Sequence, residues 1–237
     1  MEAALVVVAA LWGAAAGWLC PRAAYRLSVE PGETWRAACP AGHPYGGWVG
    51  GPCCPARLPA RVTAPLVTAL VCAALSVAVG VRPELVVWLV LAPFAVLLAL
   101  VDVRVRRLPD HLTLPLAAGA LTLLGAAAVA PGAAGSWTTA LLGGPVLGAA
   151  YFVLFLIHPD GMGFGDVKLA LSLGVVLGWY GWAVLFAGAF AGFLLGSVYG
   201  LGLIALRRAG RKSAIPFGPF MMVGAWLGVL LGALAVR

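Results

Sequence analysis

Two aspartates, Asp102 and Asp166, stand where long apolar runs meet polar sequence. Asp102 closes the run ending Leu97-Leu98-Ala99-Leu100-Val101, and Asp166 ends Gly161-Met162-Gly163-Phe164-Gly165-Asp166 at the mouth of another. The chain is 63% hydrophobic and holds only 8 carboxylates in 237 residues, so acids at such boundaries require an explanation. Ionisable groups at membrane depth are costly and mark function. The chemistry that two such carboxylates offer is peptide hydrolysis. One, ionised, activates water as general base; the other, protonated, polarises the scissile carbonyl. Burial raises carboxyl pKa values, and two neighbouring carboxylates split them further, because both cannot ionise cheaply. A partly dry cavity at the membrane edge meets both conditions and still admits water.

Other polar residues compete for these roles. Asp110 follows Pro109 and precedes His111-Leu112-Thr113, which predicts a helix N-cap. Asp160, in His158-Pro159-Asp160-Gly161, reads as turn chemistry. Asp102 is in no capping position, and a solvated acid facing Arg104 or Arg106 at a helix C-terminus would oppose the helix dipole. Asp166 has a structural alternative as a dipole-favoured helix start. The glycines of Gly163-Phe164-Gly165-Asp166 offer backbone conformations closed to other residues and close approach of a substrate strand. Lys168 would shape the local field or anchor at the interface. His111 and His158 read as interfacial bystanders.

The elements that must position these residues are membrane helices. Mean hydropathy is +1.04 and charged residues make up 10%, which excludes a soluble globular domain. The apolar runs do not alternate, as strands of a membrane barrel would. The 32 glycines and 17 prolines are tolerable in lipid, where neighbouring helices satisfy freed backbone groups and small residues allow close packing. The expected class is all-α, a polytopic helical membrane protein with about eight transmembrane helices. They are predicted near 3–19, 62–81, 85–101, 112–130, 137–157, 167–179, 182–206 and 217–236. The first lacks a basic leader region and reads as a retained span. The sixth is short for a span, though Gly174 and Gly178 would permit a tightly packed, shallow helix. Residues 1–61 form one part, a first helix with a short cytoplasmic loop, and residues 62–237 form the helical core.

If the spans alternate, thirteen of the 15 basic residues fall on one side, in or beside the loops 20–61, 102–111, 158–166 and 207–216. Only Arg82 and Arg237 lie opposite. The positive-inside rule makes the Arg-rich side cytoplasmic, with both termini outside. The net charge of +7 is thereby an orientation signal, and no nucleic-acid partner is expected. Asp102, Asp110, Asp160 and Asp166 all fall at the cytoplasmic mouth, in a plasma-membrane protein whose surroundings are the lipid bilayer.

These residues resemble a known family. Asp102-Val-Arg-Val-Arg-Arg-Leu-Pro109-Asp110-His-Leu-Thr113 resembles the first aspartate motif of type IV prepilin peptidases. Gly161-Met-Gly163-Phe-Gly165-Asp166-Val-Lys168-Leu resembles their second, within the wider class of GxGD intramembrane aspartyl proteases. Gly17-Trp-Leu-Cys-Pro-Arg-Ala-Ala-Tyr25-Arg26-Leu27 is similar to the family's first-span exit, and Ile215-Pro216-Phe217-Gly218-Pro219-Phe220 to the turn entering its last helix. The resemblance implies cleavage of the leader from prepilins and pseudopilins at the cytoplasmic membrane face, after a glycine. It makes Asp102 and Asp166 the catalytic pair and gives Gly163, Gly165, Pro109, Asp110 and Lys168 supporting roles. No cofactor is implied for proteolysis.

The departures concern the loop 20–61. Bifunctional members carry two Cys-x-x-Cys pairs there, associated with zinc and N-methylation. Here Cys39-Pro-Ala-Gly42 and Cys54-Pro-Ala-Arg57 each keep one cysteine. Cys39, His43, Cys53 and Cys54 offer four zinc ligands, although adjacent cysteines suit a tetrahedral ion poorly; the alternative is a shortened loop with relic cysteines. Cysteine stands where the first span's usual asparagine would be, at Cys20, and Cys72 reads as packing. These losses speak against methyl transfer from S-adenosylmethionine. The competing functions are a GxGD protease of other specificity and a small ion-coupled transporter. The transporter would show internal symmetry and mid-membrane acids.

Overall fold

A computed structural model describes residues 2–30, 32–48, 50, 58–159, 161–208, 210 and 215–237, and of residues 58–61 the backbone alone. Among the described residues the regular structure is helical: α1 (Glu2–Leu27), α2 (Leu58–Val79), α3 (Glu84–Val105), α4 (Asp110–Ala128), α5 (Trp137–Ile157), α6 (Phe164–Gly178), α7 (Trp182–Ala205) and α8 (Gly218–Ala235). Seven are long and apolar enough to cross a membrane. The exception is α6, with 15 residues, the segment whose run is short in the sequence. The chain is a polytopic helical membrane protein.

Helices outrun their apolar stretches at one end. α1 continues through Pro21 to Leu27, α3 continues past Asp102 to Val105, and α6 begins at Phe164. An apolar run marks the part of a helix that lipid or core must cover, whereas backbone hydrogen bonding carries the helix on into polar sequence. Both aspartates therefore lie inside terminal turns, not beyond them.

The helices form two compact units, Met1–Val105 and Arg106–Arg237. In the first, α1 packs on α2 and α3. Glycines set the α1–α2 crossing: a Cβ on Gly13 would lie 2.6 Å from the Thr68 carbonyl oxygen, and one on Gly17 2.8 Å from that of Ala64. Pro93 inside α3 has no N–H for the carbonyl one turn back, that of Leu89. Trp12 Nε1 of α1 donates to that oxygen at 2.9 Å. A neighbouring helix thus repairs the break, as proline in a membrane helix demands.

In the second unit α6 packs against α4, α5, α7 and α8, and ten of its 15 residues are buried. Lipid is kept from it by protein, so it need not match the bilayer's thickness. The close packing expected at Gly174 and Gly178 is present: a Cβ on Gly174 would overlap the Gly143 carbonyl of α5, and one on Gly178 that of Thr139. At the opposite end Gly181, at φ +97°, turns the chain into α7.

Candidate active site

The first turn of α6 is built around Asp166. Gly163 is the N-cap, with φ −72° and ψ 143°, and its N–H donates to Asp166 Oδ2 at 3.2 Å. The Asp166 N–H returns a bond to the Gly163 carbonyl at 3.0 Å. One carboxylate oxygen thus takes up an amide that the helix start leaves over, where the dipole favours an anion. Asp166 is 8% exposed.

Neither glycine of the motif has a positive φ. The expectation that they adopt conformations closed to other residues is corrected: Gly163 is extended and Gly165 helical, both open to any side chain. Space is what Gly165 supplies. A Cβ there would stand 3.2 Å from Leu108 Cβ and 3.4 Å from Leu108 N, so α6 starts directly against the segment leading into α4. A Cβ on Gly163 would meet Asp166 Oδ2 at 3.5 Å and Gly165 N at 4.0 Å, both ordinary contacts.

Pro109 and Asp110 enter from that same segment. The N-cap of α4 is Pro109, at φ −67° and ψ 132°, so the N-cap role expected of Asp110 is corrected. Proline's fixed φ and missing N–H suit it to an end where donors go unpaired. Its carbonyl accepts from Leu112 N–H at 3.0 Å and Thr113 N–H at 3.1 Å. Asp110, the first helical residue, instead pairs with Lys168: Nζ to Oδ1 is 2.6 Å. The Lys168 ammonium also lies 4.9 Å from the centre of the Phe164 ring. Deeper along the same helices, Ser172 Oγ donates to the Thr113 carbonyl at 3.1 Å. These contacts hold the first turns of α4 and α6 together. Opposite charges at two helix starts were the sequence signal for the ion pair; Leu108 gave none.

Tyr151 of α5 was also not foreseen. It is 2% exposed, in the field of the Asp166 carboxylate, and its ring lies 5.1 Å from that of Phe193 and 6.4 Å from that of Phe217. A tyrosine within an apolar run carries nothing that marks it in advance. In the first unit, Asp102 occupies the last turn of α3 and is 3% exposed, beside fully buried Val101. The alternative of a solvated helix-end acid is thereby removed. His111 and His158 are exposed. Asp160 lies outside the described residues.

Of the four cysteine-loop ligands, Cys53 and Cys54 lie outside the described residues. Cys39 and His43 meet within one turn, Sγ to Nδ1 at 3.5 Å, with the Cys39 N–H donating to the His43 carbonyl at 2.9 Å. Two ligands of one tetrahedral zinc, at their usual bond lengths, stand about 3.6 Å apart, so this half of the set has a fitting span. Among the described residues no group of three or more His, Cys, Asp and Glu could hold a metal ion. Cys72 is fully buried among α2 packing, as expected.

Residues 89–201 match the model of the type IV leader peptidase family. That segment belongs to this family. It contains Asp102, Pro109, Asp110, Gly163, Gly165, Asp166 and Lys168; the cysteine loop and Ile215–Phe220 lie outside it. Among curated relatives, a prepilin leader peptidase/N-methyltransferase of Aeromonas salmonicida is 34% identical over 158 residues, which cover 62% of this chain and 48% of that protein. Proteins of the same description from Stutzerimonas stutzeri and Dichelobacter nodosus are 33% and 36% identical, over 57% of this chain and 46% and 45% of theirs. The chain spans about half the length of the curated relatives it matches. No solved structure matches.

Proposed function

We propose that the chain is a membrane aspartyl endopeptidase that removes the leader of prepilins or pseudopilins, cutting after a glycine at the cytoplasmic membrane face. The observation that carries this reading is that the segment belonging to the type IV leader peptidase family holds two buried carboxylates, Asp102 and Asp166, each in a terminal turn of a different helix. Those are the catalytic acids of the proposal. One works ionised and takes a proton from the attacking water, while the other gives its proton to the scissile carbonyl oxygen; on collapse the first passes the water's proton to the leaving amine and the second recovers its own from the hydroxyl.

The remaining motif residues support the acids. Gly163 gives its amide to Asp166, Gly165 leaves room for Leu108, and the Lys168–Asp110 pair with Pro109 ties the α4 start to the α6 start. The cytoplasmic orientation rests on the positive-inside count, which puts the Arg-rich loops on the side of the acids. Proteolysis of this kind uses no metal. Cys39 and His43, with Cys53 and Cys54, are the residues that would hold zinc. The interrupted cysteine pairs favour cleavage without methyl transfer from S-adenosylmethionine.

The test is co-expression with a prepilin and, separately, a pseudopilin, following loss of the leader by mass. A leader removed after its glycine supports the proposal. Intact precursor with well-inserted enzyme, for every substrate tried, overturns it.

A further inference from the structure

α5 and α6 are matched along one face. A Cβ on Gly178 would lie 2.5 Å from the Thr139 carbonyl oxygen, and one on Gly174 would overlap that of Gly143. From one contact to the next is one helical turn on each helix, in opposite directions, so the same two faces stay in register. The next turn sets Leu147 opposite Ala170, both buried. The turn after that sets Tyr151 opposite Asp166. The helices are still close on the way there, for a Cβ on Gly148 would stand 2.5 Å from Leu171 Cδ2.

Tyr151 is more than packing. Its ring is fixed beside those of Phe193 and Phe217, and its hydroxyl makes no hydrogen bond to a described residue. A buried phenol ordinarily has a partner. On the four helices around α6 the other ionisable side chains are accounted for: Asp110 is paired with Lys168, and His111 and Tyr199 are exposed. Tyr151 is the buried one, and it lies in the field of the Asp166 carboxylate. That field turns the O–H dipole with its hydrogen toward the acid. A small molecule entering between them meets a donor on one side and an acceptor on the other. Water fits both: its oxygen accepts from the phenol, one O–H donates to the carboxylate, and a second lone pair stays free.

We propose that Tyr151 and Asp166 hold the attacking water between them, Asp166 as the general base and Tyr151 as a further catalytic residue that orients the water. This rests on the proteolytic reading and adds to it a division of labour between the two acids. The water's free lone pair forms the bond to the scissile carbonyl carbon, and its proton passes to Asp166. The carbonyl π pair moves to its oxygen, which takes the proton held by Asp102. Tyr151 keeps its own proton throughout.

The full chain in detergent is compared with Tyr151→Phe, which retains the ring and both aromatic contacts. On a precursor bearing its leader, kcat should fall about 100-fold with KM little changed, the cost of a nucleophile misplaced by about 1 Å. Binding is read separately with two uncleavable leader peptides. One carries a hydroxyethylene group in place of the scissile amide, so that its hydroxyl takes the position of the water; the other carries a plain ethylene group. Tyr151→Phe should weaken the first about tenfold, the loss of one hydrogen bond, and leave the second unchanged. A kcat within a few fold of the unsubstituted chain, or equal weakening of both peptides, overturns the proposal and leaves the proteolytic reading standing. An unsubstituted chain that neither cuts the precursor nor prefers the hydroxyl-bearing peptide removes that reading, and the proposal with it.

Discussion

Gly163 and Gly165 lie two residues apart, yet alanine should affect them differently. At Gly165 the new Cβ would be 3.2 Å from Leu108 Cβ and 3.4 Å from its backbone nitrogen, so one of two packed backbones must give by a few tenths of an ångström. Overpacking of this kind costs about 1–3 kcal/mol. Alanine's better helix propensity returns up to about 1 kcal/mol, which leaves a net loss near 1 kcal/mol. At Gly163 the φ and ψ values suit alanine and its Cβ meets Asp166 Oδ2 at 3.5 Å, so the loss is that of a weaker N-cap, a few tenths of a kcal/mol up to about one. Thermal unfolding in detergent should separate the two variants in that order. Leader removal should follow it, because Gly165→Ala moves the turn bearing Asp166: roughly tenfold slower cleavage, scaled from the ~100-fold cost of a 1 Å misplacement. If Gly163→Ala is the more damaging in cleavage while remaining stable, the motif's glycines serve an approaching substrate strand, and the packing argument fails.

Asp102→Asn and Asp166→Asn should each abolish cleavage while the protein accumulates normally, because asparagine matches aspartate in size and, at position 166, keeps the acceptor that the Gly163 N–H needs; as halves of one acid–base unit their losses should not add, and near-normal processing by either removes the assignment. Asp110→Asn breaks the pair with Lys168, but Asp110 is 55% exposed, so stability should drop by no more than ~1 kcal/mol and cleavage mildly. An impermeant thiol reagent applied to intact cells should miss Ala41→Cys in the exposed loop beside buried Cys39 and reach Val81→Cys between α2 and α3; the reverse labelling inverts the topology. Chelators should leave leader removal intact, and the product should lack the added mass of a methyl group even with S-adenosylmethionine present; a quantitative gain refutes the inference from the broken cysteine pairs.

The membrane helices were legible because apolar runs report directly on what lipid and protein must cover, and so were the acids at their ends. Their surroundings were not. That Asp102 is buried rather than solvated depends on packing, which hydropathy does not encode. The replacement of Asp110 by Pro109 as the N-cap is a shift of one residue, below what a cap pattern resolves. Gly165 illustrates the limit best: the motif marks that a glycine stands there, but its reason is Leu108, 57 positions earlier in the chain. Pro93 is the opposite case. That it leaves the Leu89 carbonyl without a partner in its own helix was foreseeable from one residue's chemistry, and only the identity of the donor, Trp12, needed the fold.

The shortness of α6, a weakness when read as a span, has a consequence for Asp166. α5 and α6 run antiparallel in a register set by glycine: Gly143 against Gly174, and Thr139 against Gly178. α5 starts at the level where α6 ends, since the Ser136 N–H donates to the Trp179 carbonyl at 2.9 Å. Continuing that register brings Asp166 opposite Tyr151 and Phe152, and the Phe164 ring indeed lies 6.4 Å from that of Phe152 and 5.5 Å from that of Phe155. α5 goes on to Ile157, about five residues or 8 Å farther along its axis. Asp166 is thus recessed below the end of the longer helix beside it. A spanning helix of full length would carry its N-terminal acid out to bulk water. A short one, walled by α4, α5, α7 and α8, holds the acid at a depth where burial can act on it while its own N-terminal amides still favour its charge. The feature that least resembles a membrane span is what sets the depth of the carboxylate.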